Sequence, residues 1–184
     1  MTYEIDIAGL KRELKLCPIS EDTFIGAFVI FGDVELTVHC ATELLKRAPE
    51  YDYLIAPEAK SIPLLYEMAR QSGAEKYFLA RKKPKAYMSG VFAVDVTSIT
   101  TQGVQTLVID TADAELMRGK RMLILDDVIS TGESLRATEK LVEKAGGIIA
   151  GKMAILAEGD AAKRTDIITL APLPLFNADG TPKA

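Results

Sequence analysis

The chain has 184 residues, 48% hydrophobic and 26% charged, with a formal net charge of −4. That length suits a single domain, read here as 1–184, with a core that needs no staples. The acidic balance, with a pI near 5.2, argues against a protein of nucleic acid or membrane surfaces, so any basic patch must serve a local purpose.

Residues 1–33 read as a small β-rich piece. Tyr3 to Ile7 alternates as a half-exposed strand does, and Leu14 and Leu16 continue an alternation that Pro18 ends. Phe24 to Phe31 is nearly all apolar and stops at Gly32-Asp33, where Asp33 can cap a helix with its apolar face at Leu36, Cys40, Leu44 and Leu45. Cys17 and Cys40 suit a reducing compartment without a disulfide framework, and His39 reads as structural. The N-terminus, with Glu4 and Asp6, does not read as a signal peptide, and no apolar run is long enough to span a membrane. A cytoplasmic protein is expected.

Tyr53 to Ala56 is a short buried strand, followed by Pro57-Glu58-Ala59-Lys60-Ser61. A helix from Ile62 to Ser72, with Pro63 in its first turn, is stopped by Gly73. Lys76 to Ala80 is a third strand and runs into Arg81-Lys82-Lys83-Pro84-Lys85, the one concentrated positive charge in the sequence. Residues 86–106 lack a helical period and suggest a mobile loop with a hairpin, Gln105 to Asp110 returning as a strand. Ile148 to Leu156 and Ile167 to Leu170 are further strands, and the tail from Pro172 reads as irregular at its end. Strands alternating with helices predict an α/β fold: a mainly parallel sheet flanked by helices, with ligands at the carboxyl ends of the strands.

The stretch from Arg121 to Ser134 organises the rest. Met122 to Leu125 is a buried strand closed by Asp126-Asp127, and a loop with Ser130, Thr131, Gly132 and Ser134 leads into a helix over 135–145. A small-residue loop at a helix N-terminus seats an anion on free N–H groups and the positive end of the dipole. Two carboxylates cannot bind that anion; vicinal hydroxyls or a metal's water shell suit them. Phosphate on one side and a diol on the other describes a ribose 5-phosphate. Lys60, near a helix start, and Arg81, Lys82, Lys83 and Lys85 can neutralise a highly charged leaving group.

Four apolar residues, two acids, two apolar residues and then Ser-Thr-Gly-x-Ser resemble the phosphoribosyl pyrophosphate signature of type I phosphoribosyltransferases. No Gly-Lys-Ser/Thr follows the glycine, which separates it from a P-loop. The order of parts over roughly residues 24–156 is similar to purine enzymes of the adenine or xanthine type. In that light Glu58-Ala59-Lys60-Ser61 resembles the pyrophosphate loop, with a cis peptide before or after Ala59. Arg81, Lys82 and Lys85 match the adenine enzymes' Arg-Lys-x-x-Lys stretch, which reaches pyrophosphate partly across a dimer interface. Phe31-Gly32-Asp33-Val34 resembles a base-pocket stretch in which Phe31 would stack on a purine.

The resemblance implies a type I fold. Residues 1–33 would form a β-rich hood with the base-pocket segment, 34–172 an α/β core with a mobile loop at 82–105, and 173–184 a tail. It also implies a homodimer. The implied reaction is Mg²⁺-dependent displacement of pyrophosphate from phosphoribosyl pyrophosphate by a purine base, adenine first among them. Asp126, Asp127, Lys60, Arg81 and Lys85 would be catalytic. Ser130, Thr131, Gly132, Glu133 and Ser134 would hold the 5-phosphate, and Mg²⁺ would be held mainly by substrate and water. Xanthine, hypoxanthine, guanine and orotate stay open as bases, as does a non-catalytic sensor of the same ligand. Three departures stand out: Gly32 where an Arg is usual, Glu133 where a Gly is usual, and no Glu within 83–110, with Thr101-Gln102 near the place of the adenine enzymes' loop glutamate.

Overall fold

The apolar runs of the sequence assemble into a five-stranded, wholly parallel sheet in the computed structural model, which describes residues 1–97 and 104–183. Its strands are β4 (Tyr53–Pro57), β5 (Phe78–Ala80), β8 (Arg121–Ile129), β9 (Ile148–Glu158) and β10 (Ile168–Leu173), in the order β10-β9-β8-β4-β5. Beside it a four-stranded antiparallel hood joins β1 (Thr2–Ile7), β2 (Leu10–Pro18), β3 (Phe24–Ala27) and β11 (Leu175–Phe176). The hairpin of β6 (Val91–Thr97) and β7 (Val104–Asp110) forms a separate two-stranded sheet.

Successive side chains of a strand face opposite ways, so the central strands feed two cores. Leu54, Ala56, Leu123, Leu125, Met153 and Ile155 pack with α1 (Val34–Leu45), α2 (Ile62–Ser72) and the hood. Their alternates Ile55, Met122, Ile124 and Ala154 pack with α3 (Thr111–Met117), α4 (Glu133–Lys144) and the hairpin. Parallel strands covered on both faces need the continuous apolar runs seen in the sequence.

Helix starts are set by local chemistry. The Asp33 carboxylate accepts from Leu36 N–H at 3.0 Å, and Arg12 of the hood donates to the same carboxylate at 2.6 Å, which holds it below the usual range. Asp33 thus caps α1 and ties hood to core. His39 has the structural role expected, its Nε2 lying 3.0 Å from Ala8 O. Cys17 and Cys40 are free thiols, and burial pushes Cys40 up to about 12. Among the described residues no helix is long and apolar enough to cross a membrane.

Some strand ends are corrected and further elements added. Strand β8 does not stop at Leu125 but runs through Asp126 and Asp127 to Ile129, because pairing with β9 continues to Ala157. The apolar run after Phe24 is strand only to Ala27. The last sheet strand extends to Leu173, and ahead of the tail's irregular end Leu175 and Phe176 pair with Ile25 and Phe24 and close the hood. Helix α3, capped by Asp110, stands where no element was read. The centre of the expected mobile loop, including Thr101-Gln102, lies outside the described residues.

Candidate active site

Strands β5, β4 and β8 are parallel neighbours, so the loops after Ala80, Pro57 and Ile129 gather at one edge, as ligand sites of open α/β sheets do. Two cavities of about 270 Å³ each open there. The first is polar, lined by Pro57, Glu58, Ala59, Lys60, Lys82, Asp126, Asp127, Val128 and Ser134. The second lies under the hood, between Ile25 to Val29 and the residues Val128, Ser130, Glu158 and Leu173. Lys60 and Val128 border both.

The acid pair is the electrostatic centre. Asp126 and Asp127 are 9% and 4% exposed because they sit inside the strand and not on a loop. Burial pushes the Asp126 carboxyl well above the usual carboxylate range, and the adjacent Asp127 pushes the same way. Asp126 Oδ1 accepts from Asp127 N–H at 2.9 Å. Asp127 Oδ2 is buried without a hydrogen bond among the described residues, and the Lys60 ammonium lies 3.2 Å away as its counter-charge. A buried acceptor kept unsatisfied is costly unless a ligand hydroxyl or water fills it.

The loop after β4 has a cis Glu58–Ala59 peptide bond. Ser61 is buried, and its hydroxyl donates to Pro57 O, so that hydroxyl shapes the loop and does not reach a ligand. The Glu58 carboxylate is likewise engaged: Lys82 N–H donates to it at 2.6 Å, and Arg81 Nε lies 2.6 Å from its other oxygen. Arg81 also donates from Nη1 to Tyr87 at 3.1 Å, and its backbone bridges to Val108. Arg81 therefore knits the basic stretch to its neighbours, and Lys82 is the residue of that stretch that lines the cavity. Lys83 and Lys85 are outside its walls.

After β8 the chain turns through Ser130 and Thr131 to Gly132, whose φ of +76° lets α4 begin at Glu133. Ser130 faces the hood cavity and Ser134 the polar one. Thr131 O accepts from Arg136 at 3.0 Å. A Cβ added to Gly132 would lie 2.8 Å from Arg164 Nη1. Arg164 is fixed there by a forked pair with Asp166 at 2.9 and 2.7 Å, and Asp166 in turn meets Lys152 at 2.6 Å. Sequence reading missed Arg164, which comes from the crossover between β9 and β10.

Phe31 is 51% exposed and is in the walls of neither cavity, although Val29 is. Glu158 was also missed, though the signal existed: it is an acid ending a buried strand, as Asp126 and Asp127 nearly are. Its carboxyl is pushed up by burial and drawn back by Lys60. No group of three or more His, Cys, Asp or Glu gathers as a metal cage among the described residues. The donors present, two carboxylates and open polar space, suit a hydrated Mg²⁺ carried by a substrate better than a dedicated protein site.

Residues 38–169 match the phosphoribosyl transferase domain family. With that match the chain belongs to the phosphoribosyltransferase family, enzymes that use phosphoribosyl pyrophosphate as co-substrate. Solved structures similar to it include the adenine phosphoribosyltransferase of Thermoanaerobacter pseudethanolicus, with a TM-score of 0.67 and 21% identity over 86% of this chain and 95% of that one. The Saccharomyces cerevisiae adenine enzyme, complexed with an imino-altritol bisphosphate and adenine, has a TM-score of 0.62 and 20% identity, covering 85% and 93%. The Trypanosoma brucei enzyme, in complex with AMP, pyrophosphate and ribose-5-phosphate, has a TM-score of 0.58 and 17% identity, covering 75% and 64%. The shared fold is the type I arrangement of parallel sheet, flanking helices and hood.

Proposed function

We propose that this protein joins a purine base, adenine first, to the ribosyl phosphate of phosphoribosyl pyrophosphate, releasing pyrophosphate and a nucleoside monophosphate in purine salvage. The observation that carries the reading is the pair of cavities sharing Lys60 and Val128, one polar and one under the hood. A ribosyl phosphate in the first would present C1 to a flat base in the second.

Backbone N–H groups of Ser130 to Ser134 and the start of α4 hold the 5-phosphate. Asp126 and Asp127 accept from the ribose hydroxyls, and the ionised member of the pair favours the positive charge that grows on the ring as the C1–oxygen bond breaks. Lys60 and Lys82, with the backbone of Glu58 and Ala59, receive the departing pyrophosphate. Arg81 positions that loop through Glu58, and Lys85 reaches the pyrophosphate only when the basic stretch closes over the site. Asp126 and Asp127 would face the water shell of a Mg²⁺ carried in with the substrate, which would supply charge neutralisation to the leaving group. Val128 lines one face of the base, and Phe31, exposed outside the cavity walls, swings in to stack on the other. The protein works in the cytoplasm as a homodimer.

The yeast enzyme's complex with adenine and the trypanosome enzyme's complex with AMP, pyrophosphate and ribose-5-phosphate support adenine as the base. A second reading, a ligand sensor without turnover, is favoured by the lack of any Glu in 83–110. The test is pyrophosphate release from phosphoribosyl pyrophosphate and Mg²⁺ with adenine, hypoxanthine, guanine, xanthine and orotate offered separately. Release with adenine supports the first reading, and tight binding with no base-dependent release the second.

A further inference from the structure

The base recognition left open above has one acidic side chain placed to perform it. The hood cavity is apolar or backbone on most of its surface; Lys60, Ser130 and Glu158 are its polar side chains. Lys60 is drawn to Asp127 on the polar side, 3.2 Å away. Ser130 opens the phosphate loop. Glu158 ends β9 at the same sheet edge, and no hydrogen bond or ion pair engages its carboxyl among the described residues.

We propose that Glu158 reads the 6-amino group of the purine, its carboxylate accepting from the exocyclic N–H. This rests on the phosphoribosyl-transfer reading of the site. The pairing is a matter of matched patterns. Adenine turns the N–H donors of its 6-amino group toward the carboxylate, which is acceptor-only when ionised. A 6-oxo purine turns its O6 lone pairs toward the same carboxyl, and an ionised Glu158 repels them. A site built to hydrogen-bond a substrate group rejects the analogue that lacks it far more strongly than a shape-selective pocket does.

Burial in the hood cavity favours the neutral acid, and Lys60, the other titratable side chain of that cavity, opposes it; Asp127 in turn neutralises Lys60.

The experiment is calorimetric titration of the protein with AMP, IMP and ribose 5-phosphate, for the wild type, Glu158→Gln and Glu158→Leu, at pH 8. The wild type is expected to bind AMP at least about tenfold tighter than IMP. Glu158→Leu brings the two within about twofold while ribose 5-phosphate binding is unchanged. Glu158→Gln, whose amide can accept from the 6-amino group or turn to donate to O6, keeps AMP affinity within about threefold and loses the preference over IMP. Persistence of the AMP preference in Glu158→Leu, its absence in the wild type, or a parallel loss of ribose 5-phosphate affinity would overturn the proposal. Because these are binding readouts, an AMP preference that depends on Glu158 without any adenine-dependent pyrophosphate release would overturn the reaction assigned above and leave Glu158 as the reader.

Discussion

The two cavities that meet at Lys60 and Val128 are built in opposite ways. The polar cavity takes nearly all its walls from two short stretches, Pro57 to Lys60 and Asp126 to Ser134, each following a buried strand. The hood cavity collects Ile25 to Val29, Glu158 and Leu173 from three distant parts of the chain, with the tail strand β11 bracing β3 from behind. Charge and phosphate recognition can be encoded locally, by a strand, a loop and a helix start. A surface that selects a flat ring needs walls on several sides, and no contiguous motif can supply them.

Substitutions can set the two halves against each other. The largest effect is expected in the polar cavity. Asp126→Asn with Asp127→Asn removes the charge facing the ribose and should lower kcat/KM for phosphoribosyl pyrophosphate by about 10²–10³-fold, the usual scale for a group aimed at transition-state charge. Steady-state pyrophosphate release measures it. An undiminished rate would mean that the acids face something other than the reacting sugar.

Gly132→Ala comes next. Its φ of +76° disfavours a Cβ, and that Cβ would meet Arg164 at 2.8 Å. The strain is expected to cost about 1 kcal/mol in chemical denaturation. The shifted loop should also raise KM for phosphoribosyl pyrophosphate by about tenfold, the equivalent of 1.4 kcal/mol of lost binding, with KM for the base unaffected.

The hood answers differently. Phe31→Ala should raise KM for the base several-fold, matching about 1 kcal/mol for a lost ring contact, and leave phosphoribosyl pyrophosphate affinity alone. Equal changes in both constants would show that Phe31 supports the fold and does not stack on a base.

The smallest effect is on stability and has the opposite sign to function. The Asp126 carboxyl is raised in the folded protein, so its contribution to stability is full below its unfolded value near 3.8 and is lost as pH rises through the raised one. Asp126→Asn keeps the acceptor for Asp127 N–H and carries no such loss. Its Tm should exceed that of the wild type by a few degrees at pH 7–8, on the order of 1 kcal/mol, and the gap should close toward pH 4. Thermal scans across that range check it.

The same contrast explains what could be read in advance. The β8–α4 unit was legible because an apolar run, two acids, small residues and an amphipathic helix follow one another without interruption. Its one error, ending the strand before Asp126, arose because charge in a strand reads as an end. Parallel pairing with β9 through Ala157 overrides that. Helix α3 escaped notice because Thr111–Met117 offers only Ala114 and Met117 to the core, too few to show a period, although Asp110 at its cap and Asp113 in its first turn were a usable signal. Strand β11 is two residues after Pro174, held by Phe176 packing edge-on to Tyr3 at 4.8 Å, a partner no local pattern foretells. Glu158 and Arg164 join the site only because β9 lies next to β8.

The measurement closest to the central claim is titration of phosphoribosyl pyrophosphate with Mg²⁺ into the wild type and into the Asp126→Asn, Asp127→Asn variant. Saturable one-site binding that weakens by about tenfold or more in the variant, while the variant stays folded, is the predicted result. No binding by the wild type, or equal binding by both, would contradict the assignment of the polar cavity to the ribosyl pyrophosphate.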